Sequence, residues 1–163
     1  MGPVGIRQAR AGDVAAVERM VREAAAWVDA LGVVMWEDGE LDAGRIAAEV
    51  TSGQFFLAEI DGEPAGVIRF QLEDALFWPD RPAGEAAFVH RLVVRRAFKG
   101  HGVSHALLAW AVTQARAHGR ALLRLDCDAD RLKLRALYES CGFRLHSYRQ
   151  VGPYYVARYE IPT

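Results

Sequence analysis

The sequence predicts an α/β (α+β) fold: a mixed, mostly antiparallel sheet of about six to seven strands, covered by helices on both faces. Three observations carry this reading. Asp61-Gly62 stands between two runs rich in aromatic and branched residues and reads as a hairpin turn. From Val89 to Leu108 an apolar strand, a basic turn punctuated by glycine and a helical stripe follow one another. Further on, the strand Arg120–Asp126 leads into a second helical stretch and two closing strands. Antiparallel pairs combined with two late crossover helices need a sheet that is packed on both sides.

Element by element, Val4–Arg10 is a short strand, and Asp13 is a suitable N-cap for the helix after it. Val14, Val17, Val21, Ala24, Val28 and Leu31 form one apolar stripe, with Gly32 as its stop. The segment Gly32–Glu40 has no period. Its Trp36 reads equally as a core plug or as an aromatic wall for a ligand. Asp42 caps a second helix with Ile46, Ala47 and Val50 inward, ending near Gly53. Gln54–Ile60 and Ala65–Leu72 form the hairpin, and Ala75–Gly84, with two prolines and Trp78, is a loop. The third helix runs from about Val103 to His118 and closes at Gly119. The fourth spans about Arg131 to Cys141, with Asp128 or Asp130 as cap and Gly142 at its end. Phe143–Tyr148 and Tyr154–Ile161 alternate as strands, broken at Gly152-Pro153.

Composition narrows the function. A chain of 163 residues, 52% hydrophobic and 25% charged, suits one globular domain with a real core. A formal net charge of -1 gives no reason to expect nucleic acid or an anionic membrane as partner. No apolar run reaches the roughly 20 residues that span a bilayer. The first residues, MGPVGIRQAR, lack the apolar core of a signal peptide and the serine or threonine of a myristoylation site. Two cysteines, Cys127 and Cys141, make no disulfide framework and read as small buried hydrophobes. A cytoplasmic enzyme is the expectation.

The turn Lys99-Gly100-His101-Gly102-Val103-Ser104 has the makings of an anion site. The first N–H groups of a helix have no internal partner and point outward, and the helix dipole adds positive potential there. Glycines admit a close approach of backbone to phosphate, and Lys99 brings a full charge. It is no P-loop, because Lys99 precedes the glycines, and no dinucleotide fingerprint, because the third glycine is absent.

Three segments together resemble the GNAT superfamily of N-acetyltransferases, along nearly the whole chain. Lys99–Ser104 is similar to the family's pyrophosphate loop, Gln/Arg-x-x-Gly-x-Gly/Ala, with Lys99 for the first residue and Ser104 for the last. Ala136–Phe143, ALYESCGF, resembles the Leu-Tyr-Glu-x-x-Gly-Phe segment, and Leu92-Val93-Val94 the Leu-x-Val strand end. The resemblance implies that the strand ending near Val94 splays from the one ending near Asp126 to admit acetyl-CoA. On the same implication, the backbone of Leu92, Val93 and Val94 holds the pantetheine arm, and Lys99, Gly100, His101, Gly102, Val103 and Ser104 hold the pyrophosphate. The family often has Asn contacting the pantetheine where this chain has Arg131; Arg131 is grouped with the cofactor residues, its alternatives being a phosphate contact or a solvated side chain.

Two catalytic residues are expected. Leu134, Leu137, Tyr138 and Cys141 share a helix face, and spacing alone makes Tyr138 a core residue. The resemblance puts it beside the cofactor sulfur, where a phenol of pKa about 10 can protonate a thiolate. Phe88 stands where many family members carry a glutamate, so the usual carboxylate is missing. His90, expected on one strand face with Phe88, Leu92 and Val94, resembles the second histidine of the His-x-His in some arylalkylamine acetyltransferases and becomes the candidate base. Its structural alternative is an ordinary hydrogen-bonded strand histidine. Glu85, Asp126 and Asp128 could attract a cationic amine. His101, His105 and His118 read as loop or exposed positions. No metal site is expected, since His101 and His105 lack the zincin glutamate, and no Gly-x-Ser-x-Gly elbow marks a hydrolase.

The expected activity is direct transfer of acetyl from acetyl-CoA to a primary amine in a ternary complex, with a small-molecule amine favoured. A closed aromatic pocket from Trp36 and Trp78 would suit that acceptor. An acetyltransferase for protein N-termini or lysines is the alternative, and an acyl-CoA-binding sensor the non-enzymatic one. Acetyl-CoA and the amine are the expected partners, with a homodimer left open.

Overall fold

The computed structural model of the chain describes residues 1–29 and 41–163. Its elements are β1 (Gly5–Gln8), a 3-10 turn (Ala11–Asp13), α1 (Val14–Asp29), α2 (Ala43–Thr51), β2 (Phe55–Ile60), β3 (Glu63–Gln71), β4 (Ala86–Val94), a second 3-10 turn (Arg96–Phe98), α3 (Val103–Ala117), β5 (Leu122–Asp128), α4 (Leu132–Ser140), β6 (Arg144–Val151) and β7 (Tyr154–Pro162). The seven strands form one sheet in the order β1-β2-β3-β4-β5-β7-β6. The β4–β5 pair is parallel, and the registered pairs β1–β2, β2–β3, β5–β7 and β6–β7 are antiparallel. The order of elements along the chain and the mostly antiparallel mix agree with the sequence reading. The segment with Gly32 and Trp36 lies outside the described residues.

By its contacts the chain divides into two compact units, Met1–Arg69 with Arg91–Leu107, and Phe70–His90 with Leu108–Thr163. In the first unit, Asp61 and Gly62 have φ of 52° and 80°. Two successive left-handed residues are what a two-residue hairpin turn requires. Val17 and Val21 of the expected α1 stripe, joined by Met20, meet Ile46 and Val50 of α2 over Phe55, Leu57, Val67 and Val93. Asp42 caps α2 by accepting the Arg45 N–H at 3.1 Å. Asp13 does not cap α1. It closes the 3-10 turn, accepting the Arg10 N–H at 2.8 Å, and the Arg7 guanidinium grips both its oxygens at 2.8 and 2.9 Å. A bidentate fork outcompetes a single cap bond. Gly66 brings the start of α3 onto the sheet: a Cβ there would stand 2.7 Å from the Val93 carbonyl and 3.0 Å from Val103.

The second unit holds β5, β7 and β6 in antiparallel register, from Leu122↔Pro162 to Asp128↔Val156 and from Arg144↔Glu160 to Val151↔Tyr154. Alternation sends Leu123, Leu125 and Cys127 to one face of β5, all buried, and Arg124 and Asp126 to the other. Gly119, φ 72°, closes α3 one residue earlier than His118, and the Arg120 N–H then bonds to Ala115 at 2.9 Å. Neither Asp128 nor Asp130 caps α4. Asp128 accepts the Asp130 N–H at 2.9 Å in a local turn, and Arg131 precedes the helix without a side-chain cap bond. Both cysteines are free, and burial pushes the Cys127 thiol up to about 12.

Candidate active site

Strand β4 changes character along its length. Ala86, Ala87 and Phe88 pair with Leu122, Leu123 and Arg124 of β5, and the registered parallel ladder ends there. Arg91 then adopts φ 52°, although only 7% of it is exposed. A left-handed residue inside a strand interrupts the pleat. Across this point His90, Leu92 and Val94 stay half-buried, in alternation with the buried Arg91 and Val93.

His90 sits in the second unit between two carboxylates. Its Nε2 lies 2.8 Å from Asp74 Oδ2, and its Nδ1 lies 3.8 Å from Asp126 Oδ2. The three side chains are 17%, 5% and 7% exposed for His90, Asp74 and Asp126 respectively. Burial acts to raise the Asp74 carboxyl, but the His90 contact and the N–H groups of Phe77 and Leu76 bring it below its ordinary value. Asp74 is thus an ionised partner for Nε2 of His90. Asp126 has the opposite fate: burial, with Asp74 adding to it and His90 and Arg158 opposing, raises its carboxyl to about 6. Its Oδ2 is buried with no hydrogen-bond partner among the described residues. The ligand atoms of the three residues lie within 4.8 Å of one another, a grouping that sequence spacing did not show. The two carboxylates lie toward different ring nitrogens, Asp74 within hydrogen-bond distance and Asp126 beyond it.

Asp74 reaches His90 because its loop, residues 72–85, is fastened to β5 and β7. Trp78, 2% exposed, is pinned between Arg124 and Arg158, whose guanidinium carbons lie 4.9 and 4.5 Å from its ring. Arg158 also donates to both Asp80 oxygens at 2.7 and 3.1 Å and to the Phe77 carbonyl at 3.1 Å. Arg124 pairs with Glu85 and Glu160, each at 2.9 Å. Trp78 is thus a buried anchor of this loop, and Glu85 pairs with Arg124 and Arg81. Phe77 packs on the His90 ring at 5.7 Å, and Tyr154 lies 6.5 Å from Phe77.

Tyr138, on α4, is 5% exposed and packs against Phe143 and Tyr159 at 6.0 and 6.1 Å. Burial first, then the nearby Cys127 and Asp126, hold its phenol far above the ordinary range, so it stays protonated. Arg131 precedes the same helix and is half-buried.

The basic turn lies in the first unit. Lys99, Gly100, His101 and Gly102 are exposed, and Val103 and Ser104 open α3. Gly100 and Gly102 have φ of 83° and 77°, and a Cβ on either would meet nothing within 4 Å. Leu92, Val93 and Val94 complete β4 just before it. His105 and His118 are exposed on and after α3. Asp74 is the one residue of the His90 cluster that sequence reasoning missed: it sits in the unpatterned loop, 16 residues before its partner.

Three comparisons bear on what this arrangement does. Residues 18–143 match the model of the Acetyltransferase (GNAT) family. The chain is 28% identical over 138 residues, 80% of its length and 76% of the relative's, to the uncharacterized N-acetyltransferase YesJ of Bacillus subtilis (strain 168). Among solved structures it resembles a GNAT-family acetyltransferase from Listeria monocytogenes, with TM-score 0.81, 21% identity and coverage of 98% and 95% of the two chains. It also resembles YncA from Salmonella typhimurium, solved with its cofactor acetyl-CoA, with TM-score 0.74, 19% identity and coverage of 99% and 94%.

Proposed function

The chain belongs to the GNAT family of acetyltransferases, and from that premise we propose that it works as one domain that transfers acetyl from acetyl-CoA to a small-molecule primary amine. The observation that carries the reading is the imidazole of His90, with Nε2 2.8 Å from Asp74 and Nδ1 turned toward Asp126. Nucleophilic attack needs an amine without its extra proton, and an imidazole with an ionised carboxylate behind it can take that proton near neutral pH.

The residues before and within the basic turn fit the donor. Two exposed glycines in left-handed conformation, open where a Cβ would stand, and the first N–H groups of α3 form a cradle for a pyrophosphate. Lys99, His101, Val103 and Ser104 complete that cradle in this reading, with the backbone of Leu92, Val93 and Val94 along the pantetheine arm. Arg131 serves a phosphate or the pantetheine. When bound, acetyl-CoA supplies the acetyl group as a thioester. Tyr138 holds its proton at any neutral pH and is the donor to the departing sulfur.

The test is a panel of primary amines and of lysine-containing and N-terminal peptides, scored by CoA release with acetyl-CoA present. Release with small amines and not with peptides supports the reading. Release with peptides alone turns it to protein acetylation, and no release in either set contradicts it.

A further inference from the structure

We propose that Arg158 is a positioning residue for His90: from β7 it holds Phe77, and through Phe77 it holds Asp74 against the imidazole. This rests on the acetyltransferase reading above and deepens it.

Arg158 is 3% exposed, and its guanidinium is fixed both at its edges and on its face. Nε donates to Ser147 Oγ at 2.9 Å. Nη1 donates to Asp80 Oδ1 at 2.7 Å and to the Phe77 carbonyl at 3.1 Å, and Nη2 to Asp80 Oδ2 at 3.1 Å. Trp78 covers the face, with the guanidinium carbon 4.5 Å from its ring. A planar fork held in this way has one orientation, and it imposes that orientation on what it grips.

Each part of Phe77 then has a use. Its carbonyl takes the Arg158 N–H at 3.1 Å. Its own N–H donates to Asp74 Oδ1 at 3.0 Å. Its ring packs on His90 at 5.7 Å. The next residue helps, since the Trp78 N–H bonds to the Asp74 carbonyl at 3.2 Å. With Oδ1 fastened to the backbone, Oδ2 of Asp74 is the oxygen that lies 2.8 Å from His90 Nε2. Asp74 belongs to a loop with no ladder or helix to aim it, so its direction depends on these bonds. The links run Arg158, Phe77, Asp74, His90, and all four residues lie in the second unit. A displacement of about 1 Å near reacting groups can cost on the order of 10²-fold in rate. Arg158 acts on turnover through Asp74 and not on the reacting atoms.

Two variants cut the path at different places. Arg158→Lys keeps the charge and loses the fork. Asp80→Ala frees the fork from a side chain that is 41% exposed, which leaves the buried side chains in place. With an accepted amine, kcat should fall roughly 10²-fold in Arg158→Lys and about tenfold in Asp80→Ala, while KM for acetyl-CoA stays within about twofold of wild type. Asp74→Asn removes the last link. Adding Arg158→Lys to it should cost less than about a further twofold, because residues on one path do not add. A full multiplicative loss in that double variant, or wild-type kcat in Arg158→Lys, overturns the proposal. Should Arg158→Lys fail to fold, Asp80→Ala decides in its place. The nitrogen-15 signal of His90 Nε2, recorded at one fixed pH, reads the same path without catalysis. It should move in both variants toward its position in Asp74→Asn, and a signal that stays at the wild-type position overturns the proposal. If wild-type protein releases no CoA with any amine, the acetyltransferase reading fails, and this signal alone decides the role of Arg158.

Discussion

Asp74 Oδ2 and His90 Nε2 meet at 2.8 Å, one from an irregular loop and the other from the middle of β4. That contact sets an ionised carboxylate against one ring nitrogen of His90. It depends in turn on Trp78, buried between Arg124 and Arg158.

Trp78→Ala should therefore do two things. Losing a large side chain that is 2% exposed should cost roughly 3–5 kcal/mol of stability. It should also release the loop, so that Asp74 leaves His90 and the chemical shift of the Nε2 nitrogen changes. Denaturant unfolding checks the first effect and nitrogen-15 NMR of the imidazole the second. Trp78→Phe keeps an aromatic face between the guanidiniums and should show both effects weakly.

Asp126 makes stability depend on pH in a definite direction. Its carboxyl holds a proton up to about 6 in the folded chain, against roughly 4 when unfolded. The folded state binds the extra proton, so the stability this contributes is complete below about pH 4 and is lost as the pH rises through about 6. Asp126→Asn is neutral throughout. It should gain on wild type by on the order of 2–3 kcal/mol between pH 4 and pH 7. Thermal melts of the pair at both pH values measure the gap, and a gap that does not widen contradicts the assignment.

Tyr138→Phe removes a hydroxyl while nearly keeping volume at a position that is 5% exposed. The expected result is a fall in kcat of roughly 10²-fold with little change in acetyl-CoA affinity, since the proton matters only as the thiolate leaves. Unchanged single-turnover rates would return Tyr138 to the core, as helical spacing alone suggests.

Gly102→Val places a branched side chain at φ 77°. The backbone strain should cost roughly 1–2 kcal/mol. The side chain would also fill the space open to a phosphate, so acetyl-CoA affinity should fall by about tenfold or more, the loss of one or two charge-assisted contacts. Calorimetry on folded protein checks this, with Lys99→Ala expected to weaken binding less.

Much of this was legible in the chain. Asp61-Gly62, Asp42 and Gly119 do locally what their residue types require, because a turn or a cap is decided within a few residues. The strand, turn and helix from Val89 onward were equally plain, since their periods differ. The break of the pleat at Arg91 was not, because nothing in the side chain of arginine asks for a positive φ. Asp74 could not be found by period, as it belongs to a loop and its partner lies on a strand. The sequence reading assigns nothing to Arg124 and Arg158, which lie on strands β5 and β7. They are buried where Trp78, Glu85, Asp80 and Glu160 come from elsewhere in the sequence to meet them. Pairings of this kind are set by tertiary packing, and local pattern carries little trace of them.

The most direct test of the central claim is the pH–rate profile of CoA release for wild type and His90→Gln, with an accepted amine at saturating acetyl-CoA. Glutamine keeps hydrogen-bonding capacity beside Asp74 and cannot accept a proton in this range. If His90 is the base, wild-type kcat/KM rises with pH through a limb in the range where an imidazole titrates, and His90→Gln loses that limb together with roughly 10²-fold or more in rate. If His90→Gln keeps both the rate and the limb, His90 is a structural strand histidine and the acceptor loses its proton by another route.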